Sequence, residues 1–207
     1  HLLVLCIFLI GFFKPVEAAH PQPEALTLGQ SGTSFRYVKT IGVTEAPYLD
    51  DNTHLNYPYG LAVDQYNDVY ILELLGKRVL KFDDTGAFLY KMGIAGVNIL
   101  GDYSFDDPHD AAIDQNNDLW IADWNRVAKY SPSGVFLMQF PAVDPWQSGS
   151  ANDRFNYVAG IAFDALGRLY VSDSNNQRVQ IFDLDINGNP VWVKTLGVTG
   201  ETGSDNL

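Results

Sequence analysis

"GIAFDALGRLYVSDSNNQRVQIFD", residues 160–183, is one copy of a pattern that the chain gives three times. The other copies lie in "LNYPYGLAVDQYNDVYILELLGKRVLKFDDTGAFLYKMG", residues 55–93, and "FDDPHDAAIDQNNDLWIADWNRVAKYSPSGVFLMQF", residues 105–140. Asp64, Asp114 and Asp164 fall 50 residues apart, as do Tyr70, Trp120 and Tyr170, and Glu73, Asp123 and Asp173. Arg78, Arg126 and Arg178 are spaced by 48 and 52, because the second copy has a shorter turn. Self-similarity at this period marks a repeat architecture.

Each copy reads as four short strands. In the first they run near Gly60–Asp64, Asp68–Glu73, Arg78–Asp83 and Ala87–Met92, separated by Gln65-Tyr66-Asn67, Gly76-Lys77 and Asp84-Thr85-Gly86. The second strands, "VYIL", "LWIA" and "LYVS", are apolar on both faces or nearly so, as expected of a sheet covered on both sides. Ala62, Ala112 and Ala162 recur in the first strand, where a crowded axis would need a small side chain. No segment longer than a few residues follows the helical period. The fold class is therefore all-β, a β-propeller of four-stranded blades.

Pro-x-Gly-x-Ala-x-Asp, then Leu-Tyr-Val-x-Asp, then Asn-x-Arg-Val-x-x-Phe-Asp, resembles the NHL repeat, and residues 160–183 match it best. The resemblance covers Leu55 to Gly197. It implies a ring of about six blades when complete, of which the repeats 55–93, 105–140 and 155–197 supply roughly half. "FRYVKTIG", residues 35–42, matches "VWVKTLG", residues 191–197, and is expected to be a closing fourth strand for a blade otherwise built from the far end. A partial propeller, 35–207, is one reading of this arrangement; a ring closed by dimerisation is the other.

"HLLVLCIFLIGFF", residues 1–13, is an uncharged apolar run of signal-peptide length, and Val16-Glu17-Ala18 offers a cleavage site after Ala18. We expect an N-terminally truncated signal peptide at 1–18, a linker at 19–34, and a periplasmic or secreted mature chain without cysteine. No membrane insertion is expected after cleavage. The 25 acidic and 13 basic residues give a formal charge of -12, which repels nucleic acid and anionic lipid.

Against this repeat most polar residues are framework. His109 and Asp110 depart from it, since the matching positions hold Tyr59-Gly60 and Ala159-Gly160. The position opens the first strand, innermost in the resembled fold, so the resemblance places it at the mouth of the central channel. His109 and Asp110 are the catalytic candidates, and Tyr59, His109, Asp110 and Trp124 the ligand-binding ones. The NHL-like lyase of peptide amidation takes zinc on Pro-His elements at this position, so the resemblance makes His109 a candidate zinc ligand. Only Pro108-His109-Asp110 matches, and the lyase's catalytic tyrosine would align with Leu75, Asn125 or Asn175, none of which is a tyrosine. In "DLDINGN", Asp183, Asp185 and Asn187 alternate before Gly188 like the first half of a calcium loop. Lys194 stands where a bidentate glutamate belongs, and a long hairpin turn explains the stretch equally well. Tyr57, Tyr59, Trp124, Trp146 and Tyr157 are loop aromatics able to stack on sugars or peptide side chains. No G-x-S-x-G nucleophile motif occurs.

The expected role is an exported binding scaffold for a protein, peptide or glycan. The alternative is a metal-dependent lyase or hydrolase, with zinc or calcium, acting at the channel.

Overall fold

The computed structural model describes residues 37–42, 51–93 and 101–200. The chain divides into 1–40 and 41–207. The leader and linker expected at 1–34, and residues 35 and 36, lie outside the described residues. In the first unit the Tyr37 and Thr40 hydroxyls are 2.9 Å apart. Residues 37–42 form no strand, because no partner ladder pairs with them among the described residues.

The second unit holds three four-stranded antiparallel sheets. The first is β1 (Pro58–Val63), β2 (Val69–Glu73), β3 (Arg78–Phe82) and β4 (Phe88–Gly93). The second is β5 (Pro108–Ile113), β6 (Leu119–Asp123), β7 (Arg126–Tyr130) and β8 (Phe136–Phe140). The third is β9 (Val158–Phe163), β10 (Leu169–Asp173), β11 (Arg178–Leu184) and β12 (Pro190–Leu196), with a short 3-10 turn at Ser174–Asn176. These are the blades of a partial propeller, and the strands of the first start within two residues of the expected positions.

The doubly apolar second strands serve two cores at once. Tyr70 and Leu72 pack with Leu119, Ile121 and Ala128 between the first and second blades. On the other face of β6, Trp120 and Ala122 pack with Leu169, Val171 and Phe182 of the third. Burying each such leucine contributes about 1.5–3 kcal/mol. Gly60 approaches the second blade so tightly that a Cβ there would lie 2.5 Å from the His109 carbonyl oxygen. Ala62 is buried, whereas Ala162 on the third blade is exposed.

The recurring charges hold the frame. Glu73–Arg78, Asp123–Arg126 and Asp173–Arg178 are buried ion pairs at 2.6, 2.8 and 2.7 Å. Each guanidinium also bonds carbonyls of the segment entering its own blade: Asp51 and His54, Gly101 and Ser104, and Ser150, Ala151 and Arg154. Breaking such a buried pair costs about 3–5 kcal/mol. Burial raises the Asp123 carboxyl, against the pull of Arg126 and the amides of Asp106 and Asp107. Asp64, Asp114 and Asp164 each accept two amides of the turn that follows, at 2.9–3.0 Å.

A second charge motif changes sign along the chain. Lys81 sits 3.0 Å from Asp64 and Asp68, and Lys129 3.0 Å from Asp114 and Asp118. In the third blade the lysine position is Ile181 and the second aspartate is Arg168, which pairs with Asp164 at 2.7 Å. The cation has moved from β11 to the turn before β10, so the repeated aspartate keeps a partner.

Candidate functional site

Residues 59, 109 and 159 share a backbone irregularity. In β1 and β2, Pro58 faces Glu73 and Gly60 faces Leu72, so Tyr59 is skipped. His109 is skipped in the same way between Pro108 and Asp110, and Ala159 between Val158 and Gly160. A bulge breaks the strand alternation and re-aims one side chain. The frame thus supplies one freely chosen side chain per blade, at the end where each inner strand begins. The occupants are tyrosine, histidine and alanine.

His109 is 7% exposed. Its Nδ1 lies 2.8 Å from the Asp107 carbonyl oxygen, which can only accept, so Nδ1 carries a proton. In the neutral ring Nε2 is then the acceptor, and the Tyr157 hydroxyl donates to it. Asp107 Oδ2 stands 3.6 Å from Nδ1, beyond hydrogen-bonding distance. Burial raises the Asp107 carboxyl, against His109 and Lys77. Burial also raises the Tyr157 phenol, reinforced by Asp107 and Tyr59, so the hydroxyl stays a donor.

Rings extend from this centre across all three blades. Tyr59 meets His109 edge-on at 5.2 Å, and His109 meets Tyr157 at 4.9 Å. Tyr157 meets Trp124 at 5.8 Å, while Tyr57 lies parallel to Tyr59 at 6.2 Å. Tyr57, Tyr59 and Trp124 are 56%, 57% and 40% exposed. Tyr57, Trp124 and Tyr157 hold positive φ angles of 56°, 55° and 66°, a conformation that costs a bulky side chain about 1 kcal/mol or more. Lys77 approaches from the first blade, its ammonium on the Asp106 carbonyl and 3.4 Å from the Asp106 carboxylate.

The structure therefore brings together Tyr59, His109 and Trp124 of the expected ligand-binding set. Asp110 is held elsewhere: its Oδ1 accepts the Ala111 amide at 2.9 Å and its Oδ2 the Ile161 amide at 3.0 Å, across the blade boundary. Trp146 lies against the Arg126 guanidinium at 4.0 Å and Asn125 bonds the Trp146 carbonyl and the Tyr157 amide, so both belong to the frame. Asp107 escaped the sequence reading. The signal was present, because positions 57, 107 and 157 hold Tyr, Asp and Tyr, a departure in the same copy as His109.

Asp183, Asp185 and Asn187 line a cleft of about 800 Å³ at the opposite end of the blades, with Asp114, Asp118 and Lys129. Asp185 Oδ1 accepts the Asn187 and Asn189 amides, both at 2.8 Å, and Oδ2 the Asn189 side-chain amide at 3.1 Å. The Asn189 amides hold its carboxyl below the usual range. This is the turn that Asp83 makes with Thr85 and Ala87 in the first blade. Among the described residues no group of three or more His, Cys, Asp or Glu side chains is arranged to hold a metal ion. Among them also, no helix is long and apolar enough to cross a membrane.

A family model described as the NHL repeat matches residues 155–182. Mouse (Mus musculus) NHL repeat-containing protein 3 is 27% identical over 152 residues, covering 67% of this chain and 41% of the mouse protein. The human (Homo sapiens) protein of the same name is 27% identical over 117 residues, covering 53% and 32%. The chain thus spans about two fifths or less of these relatives. Among solved structures, the periplasmic gluconolactonase of Pseudomonas aeruginosa superposes with a TM-score of 0.51 at 15% identity, over 69% of this chain and 40% of that one. That likeness shows a shared fold and carries no activity with it. The repeat match and the three four-stranded blades agree: the chain carries an NHL repeat at residues 155–182 and folds as part of a β-propeller.

Proposed function

We propose that this propeller is an exported binding scaffold which presents the Tyr57–Tyr59–His109–Tyr157–Trp124 strip to a protein, peptide or glycan. One observation carries the reading. The position that the repeat leaves free, on the bulge at 59, 109 and 159, is where rings converge from all three blades, with Tyr57, Tyr59 and Trp124 exposed. Exposed aromatics supply a large contact area at low entropic cost, and the buried ion pairs behind them fix their backbone. Export rests on the apolar leader at 1–13.

The alternative of a metal-assisted lyase or hydrolase requires His109 to release a nitrogen. Nδ1 is held by a carbonyl and Nε2 by Tyr157, so a metal would have to displace the phenol. Probing peptide and glycan arrays with the chain and with a Tyr59→Ala/Trp124→Ala variant tests the scaffold reading. Array signals that disappear in the variant support it; signals that persist unchanged contradict it. Metal content that falls on His109→Ala would favour the enzyme instead.

A further inference from the structure

The strip contains one group that its surroundings leave undercompensated. The Asp107 carboxylate is partly buried, and its ion-pair contact is His109 Nδ1 at 3.6 Å. That nitrogen already serves the Asp107 carbonyl. The amide donors nearby serve Asp123 instead, since Asp106 N and Asp107 N both bond Asp123 Oδ1 at 2.8 Å. Lys77, whose charge also acts on Asp107, is engaged with Asp106. A desolvated carboxylate in this position is stabilised by an added cation.

The surrounding chemistry has the same sign preference. Tyr57, Tyr59 and Trp124 expose π faces, whose electrostatic potential is negative. A formal charge of -12 draws cations towards the surface. An anionic ligand would meet Asp106 and Asp107 together. A neutral sugar could stack on the rings but would add no counter-charge to Asp107.

We propose that the strip receives a basic side chain, the guanidinium or ammonium group of an arginine- or lysine-bearing protein segment, with its charge on Asp107 and its stem on the exposed rings. This rests on the scaffold reading and narrows it to one ligand class. Cation–π contact favours a guanidinium over tyrosine and tryptophan faces.

The test is calorimetric titration of the chain with an arginine-containing peptide, a matched peptide carrying citrulline, and a panel of neutral oligosaccharides. The expected result is binding of the arginine peptide that weakens with salt and falls about tenfold or more with citrulline or with Asp107→Asn. Tyr59→Ala should weaken it about threefold or more, while Tyr59→Phe, which keeps the ring face, should stay within about twofold. Circular dichroism checks the variants, and the citrulline peptide needs no variant at all. Equal affinity for the citrulline peptide overturns the inference. Tyr59-dependent binding of an oligosaccharide without binding of the basic peptide overturns it too, but leaves the scaffold reading standing. Binding of neither class removes both.

Discussion

His109 and Tyr157 are joined across the boundary between the second and third blades. The phenol donates to Nε2, and the Asp107 carbonyl fixes the opposite nitrogen as the proton carrier. The contact links the bulge of one inner strand to the segment entering the next, so it orders both the ring strip and the blade interface. Tyr157→Phe removes the donor and should lower stability by about 1 kcal/mol. The ¹⁵N shifts of the His109 ring should change with it. Unchanged shifts in a folded variant would show that the phenol does not hold the imidazole.

Asp110 is assigned to the frame rather than to recognition, because its carboxylate accepts the Ile161 amide at 3.0 Å. Asp110→Ala should cost about 1–2 kcal/mol in urea denaturation and leave ligand affinity alone. Full stability with lost binding would reverse the assignment.

The relocated cation gives a double-mutant test. Lys129→Ile leaves Asp114 and Asp118 facing each other without a counter-charge and should cost about 3 kcal/mol. Adding Asp118→Arg reproduces the pattern of Asp164, Arg168 and Ile181 and should restore much of the loss. Additive costs would mean that the two solutions are not equivalent.

Asp164 also sets an acid limit. The Arg168 amide first, then the Arg168 side chain and the Leu166 amide, outweigh burial and bring its carboxyl down to about 2. The folded value lies below the unfolded one, so this contribution is complete above the unfolded value near 4 and is lost as pH falls towards about 2. Asp164→Asn should therefore flatten the stability profile in that window. A wild-type profile already flat between about pH 4 and 2 would contradict the assignment.

The repeat was legible because Asp64, Asp114 and Asp164 sit at one spacing and do one local job, receiving the amides of their own turns. Such bonds span two to four residues, so sequence register reports them. The bulge at 59, 109 and 159 was visible only as a variable position, since its geometry depends on the facing strand. The Asp110–Ile161 and His109–Tyr157 contacts span about 50 residues and arise from the stacking of blades, which no local pattern encodes. The hairpin turn at Asp185 was also legible in the sequence. Asp83-x-x-Gly86, Ser131-x-x-Gly134 and Asp185-x-x-Gly188 occupy the same turn.

The proposed recognition surface is the bulge end of the blades and not the polar cleft of the other end. Titration of the isotopically labelled chain with the arginine peptide, followed by backbone and aromatic NMR, distinguishes the two ends. The expected result is shift changes confined to Tyr57, Tyr59, Asp107, His109, Trp124 and Tyr157. Changes centred on the turns 114–118, 165–167 and 185–189 would contradict it.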